Sequence, residues 1–370
     1  MKKLSISITS LLLVLIACQS DYEQEVGVIR SLVEDKNMNG NTISSNNAIS
    51  QAISFVDEIN RRTRSSDFSK NVSSVYAWRS SEIYSNTSLT RSSWNESLPD
   101  TLLYIVNFDN ESGFALVSAA TSLPGVVAYI EQGTLTPYDE IDNPGFALFL
   151  DGYKDYYINN RGVLPQDSSG IISLFHLESY LGPLLTTNWG QRSPYNNYCY
   201  TSEDSLAVAG CAAIALTQIA AFHRFPTSFV INAWQGYDYH YIQDDSISFD
   251  SIKVDITNGR PLYMRGTRYY IENGVQKSSG HAWVVDGYAI KSLYYYDTII
   301  GWNGELIEIR RKLYQNLIHC NWGWNGNCNG YFIIGAFDNR YNLENDHPES
   351  GFRPYNTNNY TYRCIFPNTQ

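Results

Sequence analysis

The stretch Gly210-Cys211-Ala-Ala-Ile-Ala-Leu-Thr-Gln-Ile-Ala-Ala-Phe-His-Arg-Phe-Pro226 constrains the chain more than any other. Residues 212–222 are helix formers, and Pro226 ends the run because the residue before a proline avoids the helical region. The alanines at 212, 213, 215, 220 and 221 allow close packing, so the helix is expected to be buried. Cys211 opens it. Free N–H groups and the helix dipole at that end favour an anion, and the thiolate is the nucleophilic form of cysteine. A structural cysteine capping a buried helix fits the same pattern, so Cys211 needs partners before it reads as catalytic.

A partner lies in Ser279-Gly280-His281-Ala282-Trp-Val-Val-Asp-Gly-Tyr288. The imidazole of His281 leaves the start of an apolar strand, a rigid mount for a general base. Next comes Asn321-Trp322-Gly323-Trp324-Asn-Gly326, where an Asn side chain shielded by Trp322 would orient the imidazole through its other nitrogen. The same residues also fit a Gly/Asn-rich hairpin with two core tryptophans. Upstream, Trp189-Gly-Gln191 places an amide that would donate to a developing oxyanion; a plain loop residue is the other reading.

The order Gln191, Cys211, His281, Asn321 is that of papain-like peptidases, and the chain resembles the streptopain family of bacterial cysteine peptidases (C10 type). The resemblance is carried by Pro183-Leu-Leu-Thr-Thr-Asn-Trp-Gly-Gln191, Pro194-Tyr-Asn196, Gly210-Cys211-Ala-Ala, Gly259-Arg-Pro-Leu-Tyr263, Gly280-His281-Ala-Trp-Val-Val-Asp-Gly-Tyr288 and Asn321-Trp-Gly-Trp-Asn-Gly. Leu102 to Ser118 and Gly125 to Ile130 resemble the family's prodomain. The resemblance implies an endopeptidase made as a zymogen, with Cys211 and His281 as the catalytic pair and no cofactor. It also implies an oxyanion role for Gln191 and an orienting or shielding role for Asn321 and Trp322. Its implied partners are protein or peptide substrates and the chain's own prodomain as intramolecular inhibitor.

The expected fold is α+β: a papain-like domain, with a helix carrying the cysteine and an antiparallel sheet carrying the histidine, preceded by a small α+β prodomain. Alternating or apolar runs predict strands near 75–78, 102–108, 113–118, 126–130, 261–264, 282–288, 319–322 and 331–334. Helical spacing predicts helices over 48–62 and 146–157. The expected divisions are a signal at 1–17, a tether at 18–47, an inhibitory prodomain at 48–170, a linker and maturation region at 171–183 and a catalytic domain at 184–370.

Lys2, Lys3 and the apolar Leu11 to Ile16 read as an export signal. Ala17-Cys18 resembles a lipoprotein site, so Cys18 is expected to be acylated and to hold the protein on a membrane; a plain signal peptide containing a cysteine is the alternative. The expected location is the bacterial outer membrane, at its periplasmic or surface face, or the exterior after processing. Cys199, Cys320, Cys328 and Cys364 would permit two disulfides, with three possible pairings. A formal net charge of −11 argues against nucleic acid as a partner. No H-E-x-x-H, P-loop or G-x-G-x-x-G occurs, which leaves metalloprotease, NTPase and dinucleotide readings without support.

Only 70 residues separate Cys211 from His281, fewer than the streptopain family usually has. The part between Pro226 and Asn258 reads as short and irregular, as if a helical subdomain were missing. This supports an alternative, a catalytically degenerate surface lipoprotein that binds peptides or proteins. A cell-wall amidase or acyltransferase is a third reading, against which the Gln191 and Asn321-Trp322 motifs argue.

Overall fold

The computed structural model describes residues 42–63, 70–79, 100–123, 125–160, 175–224, 239–244, 248–272, 275–337 and 357–367. The expected signal peptide, Cys18, most of the tether and Pro226 lie outside the described residues, as does the side chain of Cys364.

The first half is built as expected. Helix α1 (Ser45–Thr63) starts where Ser44 Oγ accepts the Asn47 N–H at 3.2 Å, and it buries Ala48, Ala52, Phe55, Val56 and Ile59 at helical spacing. Strands β1 (Val72–Arg79), β2 (Thr101–Phe108), β3 (Phe114–Ser118) and β4 (Val126–Ile130) form an antiparallel meander. Helix α2 (Pro144–Asn160) follows. Asn143 Oδ1 caps it by accepting from Gly145 and Phe146 N–H at 3.0 and 3.1 Å. The run Phe146 to Leu150 and Tyr153 of α2 is buried, together with an Asp151–Lys154 ion pair at 3.0 Å.

The second half contributes β5 (His176–Leu181), α3 (Cys211–His223), β6 (Tyr239–Asp244), α4 (Phe249–Thr257), β7 (Leu262–Glu272), β8 (Val275–Ile300), β9 (Leu306–Asn321), β10 (Gly330–Ile333) and β11 (Thr357–Pro367). The halves share one sheet, in the order β1-β2-β3-β4-β10-β9-β8-β7-β11-β6, with β5 on β8. The junction is β4 against β10, where Gly330 faces Ile130. A Cβ on Gly330 would meet the Tyr129 carbonyl oxygen at 2.1 Å, so only glycine lets the strands close here. Successive strand residues alternate between faces. One face packs α2 and α4 over Leu103, Ile105, Trp283, Val285 and Phe332. The other packs α1 over Tyr104, Val106 and Ala289, and α3 over Tyr263, Ala282 and Val284.

Three expectations change. The part of 226–258 that is described is regular: it holds β6 and α4, the latter capped by Ser248 Oγ, which accepts the Ser251 N–H at 3.4 Å. The segment 171–183, expected as a linker, contains β5, whose Leu181 pairs with Tyr288. And β8 and β9 run far past the expected 282–288 and 319–322, as a hairpin in register from Val284↔Asn321 to Ile300↔Leu306. Leu293, Tyr295 and Leu313 still pack on the core, but from Tyr296 outward the hairpin is largely exposed, so the period that betrays a strand in sequence is lost there.

Candidate functional site

The expected site residues lie at the start of α3, on β8, in the loop after β9 and, for Gln191, in the loop before α3. Cys211 is the first residue of α3, behind Gly210 at φ 91°, a left-handed backbone that glycine adopts without strain. Cys211 is half-buried, while Ala212 and Ala213 are exposed, so the first turn of the helix is open rather than sunk in the core. Deeper in α3, Ala215 and Ile219 pack with Ala282 and Val284. The helix of the nucleophile candidate therefore rests on the residue next to His281.

His281 itself points to the opposite face of β8 from Ala282. Its ring is 3% exposed. It stacks 6.2 Å from Trp283 at 13° and lies 6.2 Å from Trp324, edge to face. Its Nε2 is 2.9 Å from the Trp322 carbonyl oxygen. A carbonyl only accepts, so Nε2 carries the proton and Nδ1 keeps the lone pair. Burial pushes the His281 pKa down to about 4, against the opposing pull of the Trp322 carbonyl. The imidazole is thus neutral, as a base must be. No hydrogen bond among the described residues joins it to Cys211.

Asn321 does not orient the imidazole in this arrangement. Its Oδ1 accepts from Gln218 Nε2 at 3.2 Å and from Gly323 N–H at 3.2 Å, and its Nδ2 donates to the Thr187 carbonyl at 2.7 Å. The group that holds His281 is the backbone carbonyl of Trp322. The Trp322 indole in turn donates to the Cys328 carbonyl at 2.8 Å and is fully buried. Asn321 is a strut between the 187–191 loop and the Trp322 loop.

Gln218 completes that strut and was not singled out in the sequence. Fully buried, its Oε1 accepts from Thr187 Oγ1 at 2.9 Å and Trp189 N–H at 3.3 Å. Its signal was available: an amide in a mostly apolar helix, seven positions after Cys211 and so on the same face. Gln191 is buried, and its carbonyl accepts the Ala209 N–H at 2.9 Å, which ties it to the residues just before Cys211.

The amino-terminal half presses on this site from behind. A Cβ on Gly145 of α2 would meet the Trp322 ring at 2.1 Å, and Asn143 Nδ2 donates to the Asn327 carbonyl at 2.8 Å. On the neighbouring strand, His319 Nδ1 lies 2.5 Å from Asp286 Oδ1, and its Nε2 lies 3.6 Å from Glu131 of the amino-terminal half. Asp286 also accepts the Leu185 N–H at 3.0 Å and fixes the loop that leads to Gln191.

Cys199, Cys320 and Cys328 are unbridged. Burial drives the Cys320 thiol well up and pushes Cys328 up to about 12, leaving both as inert thiols. No helix among the described residues is long and apolar enough to cross a membrane.

Two family models match separate parts of the chain. A family model for the Spi protease inhibitor matches residues 40–157. A model for the Peptidase C10 family matches residues 189–245, a span that includes Gln191 and Cys211 and stops before His281. A solved fragment of Prevotella intermedia prointerpain A, carrying a Cys-to-Ala mutation, is 18% identical and covers 73% of this chain and 98% of its own, with a TM-score of 0.43. The active wild-type interpain A cysteine protease of Prevotella intermedia is also 18% identical and covers 51% of this chain and 96% of its own, with a TM-score of 0.31. No curated protein matches the chain. Residues 40–157 are thus similar to a Spi-type protease inhibitor, and residues 189–245 to the Peptidase C10 family.

Proposed function

We propose that the chain is an exported, lipid-anchored zymogen whose mature form is an endopeptidase working through a Cys211–His281 acyl-enzyme. The observation that carries this reading is the mounting of both groups on one unit. Cys211 opens α3, α3 packs on Ala282, and His281 precedes Ala282 on β8 with its Nε2 held by the Trp322 carbonyl. In the mature enzyme the His281 Nδ1 lone pair takes the Cys211 thiol proton, and the thiolate attacks the peptide carbonyl. The imidazolium then protonates the leaving amine, and the neutral ring activates the water that releases the acyl group. Gln191 donates to the oxyanion. Trp322, Trp283 and Trp324 keep water from the ring.

The described state is the latent one. His281 is parked among tryptophans on the far face of β8, and Gly145 and Asn143 of the inhibitor region brace the loop that holds it there. Loss of the inhibitor region releases the brace, and a shift of the Trp322 loop and of the start of β8 brings Nδ1 to the thiol. The physical motive for latency is that an exported peptidase would otherwise attack its own cell. Acylation of Cys18 holds the protein on the outer membrane.

A thiol-reactive peptide probe tests the reading. Processed protein labels and cleaves casein, unprocessed protein does neither, and Cys211→Ala abolishes both. Folded, processed protein that fails to label would leave a non-catalytic peptide-binding homologue as the better reading, and cleavage of peptidoglycan but not casein would favour an amidase.

A further inference from the structure

Beyond Ser292, β8 pairs only with β9 among the described residues; Leu293 and Tyr295 still pack on the core, and from Tyr296 the two strands run on as a free hairpin. From Tyr296 to Ile300 it projects about 14 Å at the usual rise per residue. At its tip Trp302 is 98% exposed, Ile300 75% and Leu306 74%, with Ile307 also exposed. Adjacent residues of a strand point to opposite faces, so the consecutive Leu306 and Ile307 make both faces of the tip apolar. A surface that docks on a folded protein presents one face. A tip apolar on both faces suits immersion in an apolar medium.

The rows behind the tip are ordered by polarity. Asp297, Glu305 and Glu308 lie nearest the apolar residues in sequence. About 14 Å behind Ile300, Tyr296 pairs with Arg310, and the next rows carry Tyr295 opposite Arg311 and Tyr294 opposite Lys312. Arg310–Arg311–Lys312 are the chain's one run of three consecutive basic residues, in a protein of net charge −11. The Arg310 guanidinium lies 3.9 Å over the Tyr294 ring, and Lys312 lies 5.1 and 4.9 Å from the Tyr294 and Tyr314 rings while also pairing with Glu178 at 2.8 Å. Tyr and Trp favour the level of lipid headgroups, and cations favour anionic phosphates.

We infer that the β8–β9 hairpin is a membrane-surface anchor whose Trp302 tip enters the interface of a bilayer containing anionic lipid. Insertion is shallow, on the order of 5–10 Å as for interfacial helices, because the open hairpin edges carry unpaired backbone groups that hydrocarbon does not tolerate. Glu305 in the turn limits the depth further. The inference is independent of acylation at Cys18.

The test uses the full chain with Cys18→Ser, so that no acyl group contributes, and with Cys211→Ala to prevent self-cleavage. Co-sedimentation is measured with vesicles of phosphatidylcholine alone and of phosphatidylcholine with phosphatidylglycerol. The chain binds the anionic vesicles better, and added salt narrows the difference. Trp302→Ser with Leu306→Ser lowers the partition coefficient at least about tenfold without changing the melting temperature, since neither side chain touches the core. Arg310→Glu weakens binding to anionic vesicles only, and Glu305→Gln strengthens it. The proposal is overturned if the folded chain does not bind vesicles, if the double variant binds as well as its parent, or if the double substitution instead dissociates an oligomer in sedimentation.

Discussion

Two buried histidines, His281 on β8 and His319 on β9, sit one strand apart and hold opposite charge states. Both are almost fully out of solvent. His281 meets three tryptophans and one carbonyl, and burial pushes its pKa down to about 4. His319 is subject to the same desolvation, but Asp286 and then Glu131 overcome it and raise the pKa to about 10. Burial alone empties a histidine of its proton, and carboxylates restore it. The neutral ring is the one available as a base. The charged ring ties the inhibitor region, through Glu131, to the sheet that carries the site.

Exchanging what surrounds these two rings should separate their roles. Cys211→Ala or His281→Ala in processed enzyme should lower kcat/KM by at least about a thousandfold with the fold intact, while His319→Gln should retain the acyl-enzyme chemistry; peptide hydrolysis by equal amounts of folded protein checks both. Asp286→Ala should cost about 3–5 kcal/mol of unfolding free energy, because it leaves a buried imidazolium without its nearest partner. Urea denaturation reads this as a fall in midpoint.

The pH dependence should show both rings. The folded pKa of His281 lies below its ordinary 6.5, so the folded state binds fewer protons than the unfolded chain between the two values. Its contribution is full above pH 6.5 and is lost as pH falls towards 4, at most about 3 kcal/mol. The folded pKa of His319 lies above its ordinary value, so its contribution is full below pH 6.5 and is lost as pH rises towards 10. Stability should therefore peak near neutrality. His281→Gln should flatten the acid limb and His319→Gln the alkaline limb, as followed by melting temperature against pH; an unchanged profile in both variants would remove the contrast. The smallest effect belongs to Glu131→Gln. About a third of that side chain is exposed, so its loss should cost less than about 1 kcal/mol, seen as a small drop in the melting temperature of the zymogen.

The legible parts of the sequence are those where a local pattern and its burial agree. The β2–β4 runs, the α2 stretch at Phe146 to Tyr157 and the Ala-rich helix after Cys211 each announce their structure because each buries a face or a whole element. The order of motifs singled out Cys211 and His281 as candidates, and among the described residues no hydrogen bond joins them. The role given to Asn321 was not, because a side-chain amide and the next residue's backbone carbonyl are equivalent candidates until the loop's path is known. That path ties Asn321 to Gln218 and Thr187 and turns the Trp322 carbonyl to the ring. The outer hairpin from Tyr296 on was missed because strands without a core have no period to read.

By itself the sequence determined the elements that bury a face, and which residues are candidates to act. Local propensity and hydrophobic period act over a few residues and are written along the chain. Only the tertiary structure decided that β4 of the inhibitor region joins β10 in one sheet, that His281 faces away from α3 in this state, and that Asp286 and Glu131 charge one buried histidine while tryptophans neutralise the other. These depend on contacts between residues far apart in sequence, where strand register and the side chains facing each ring set the outcome.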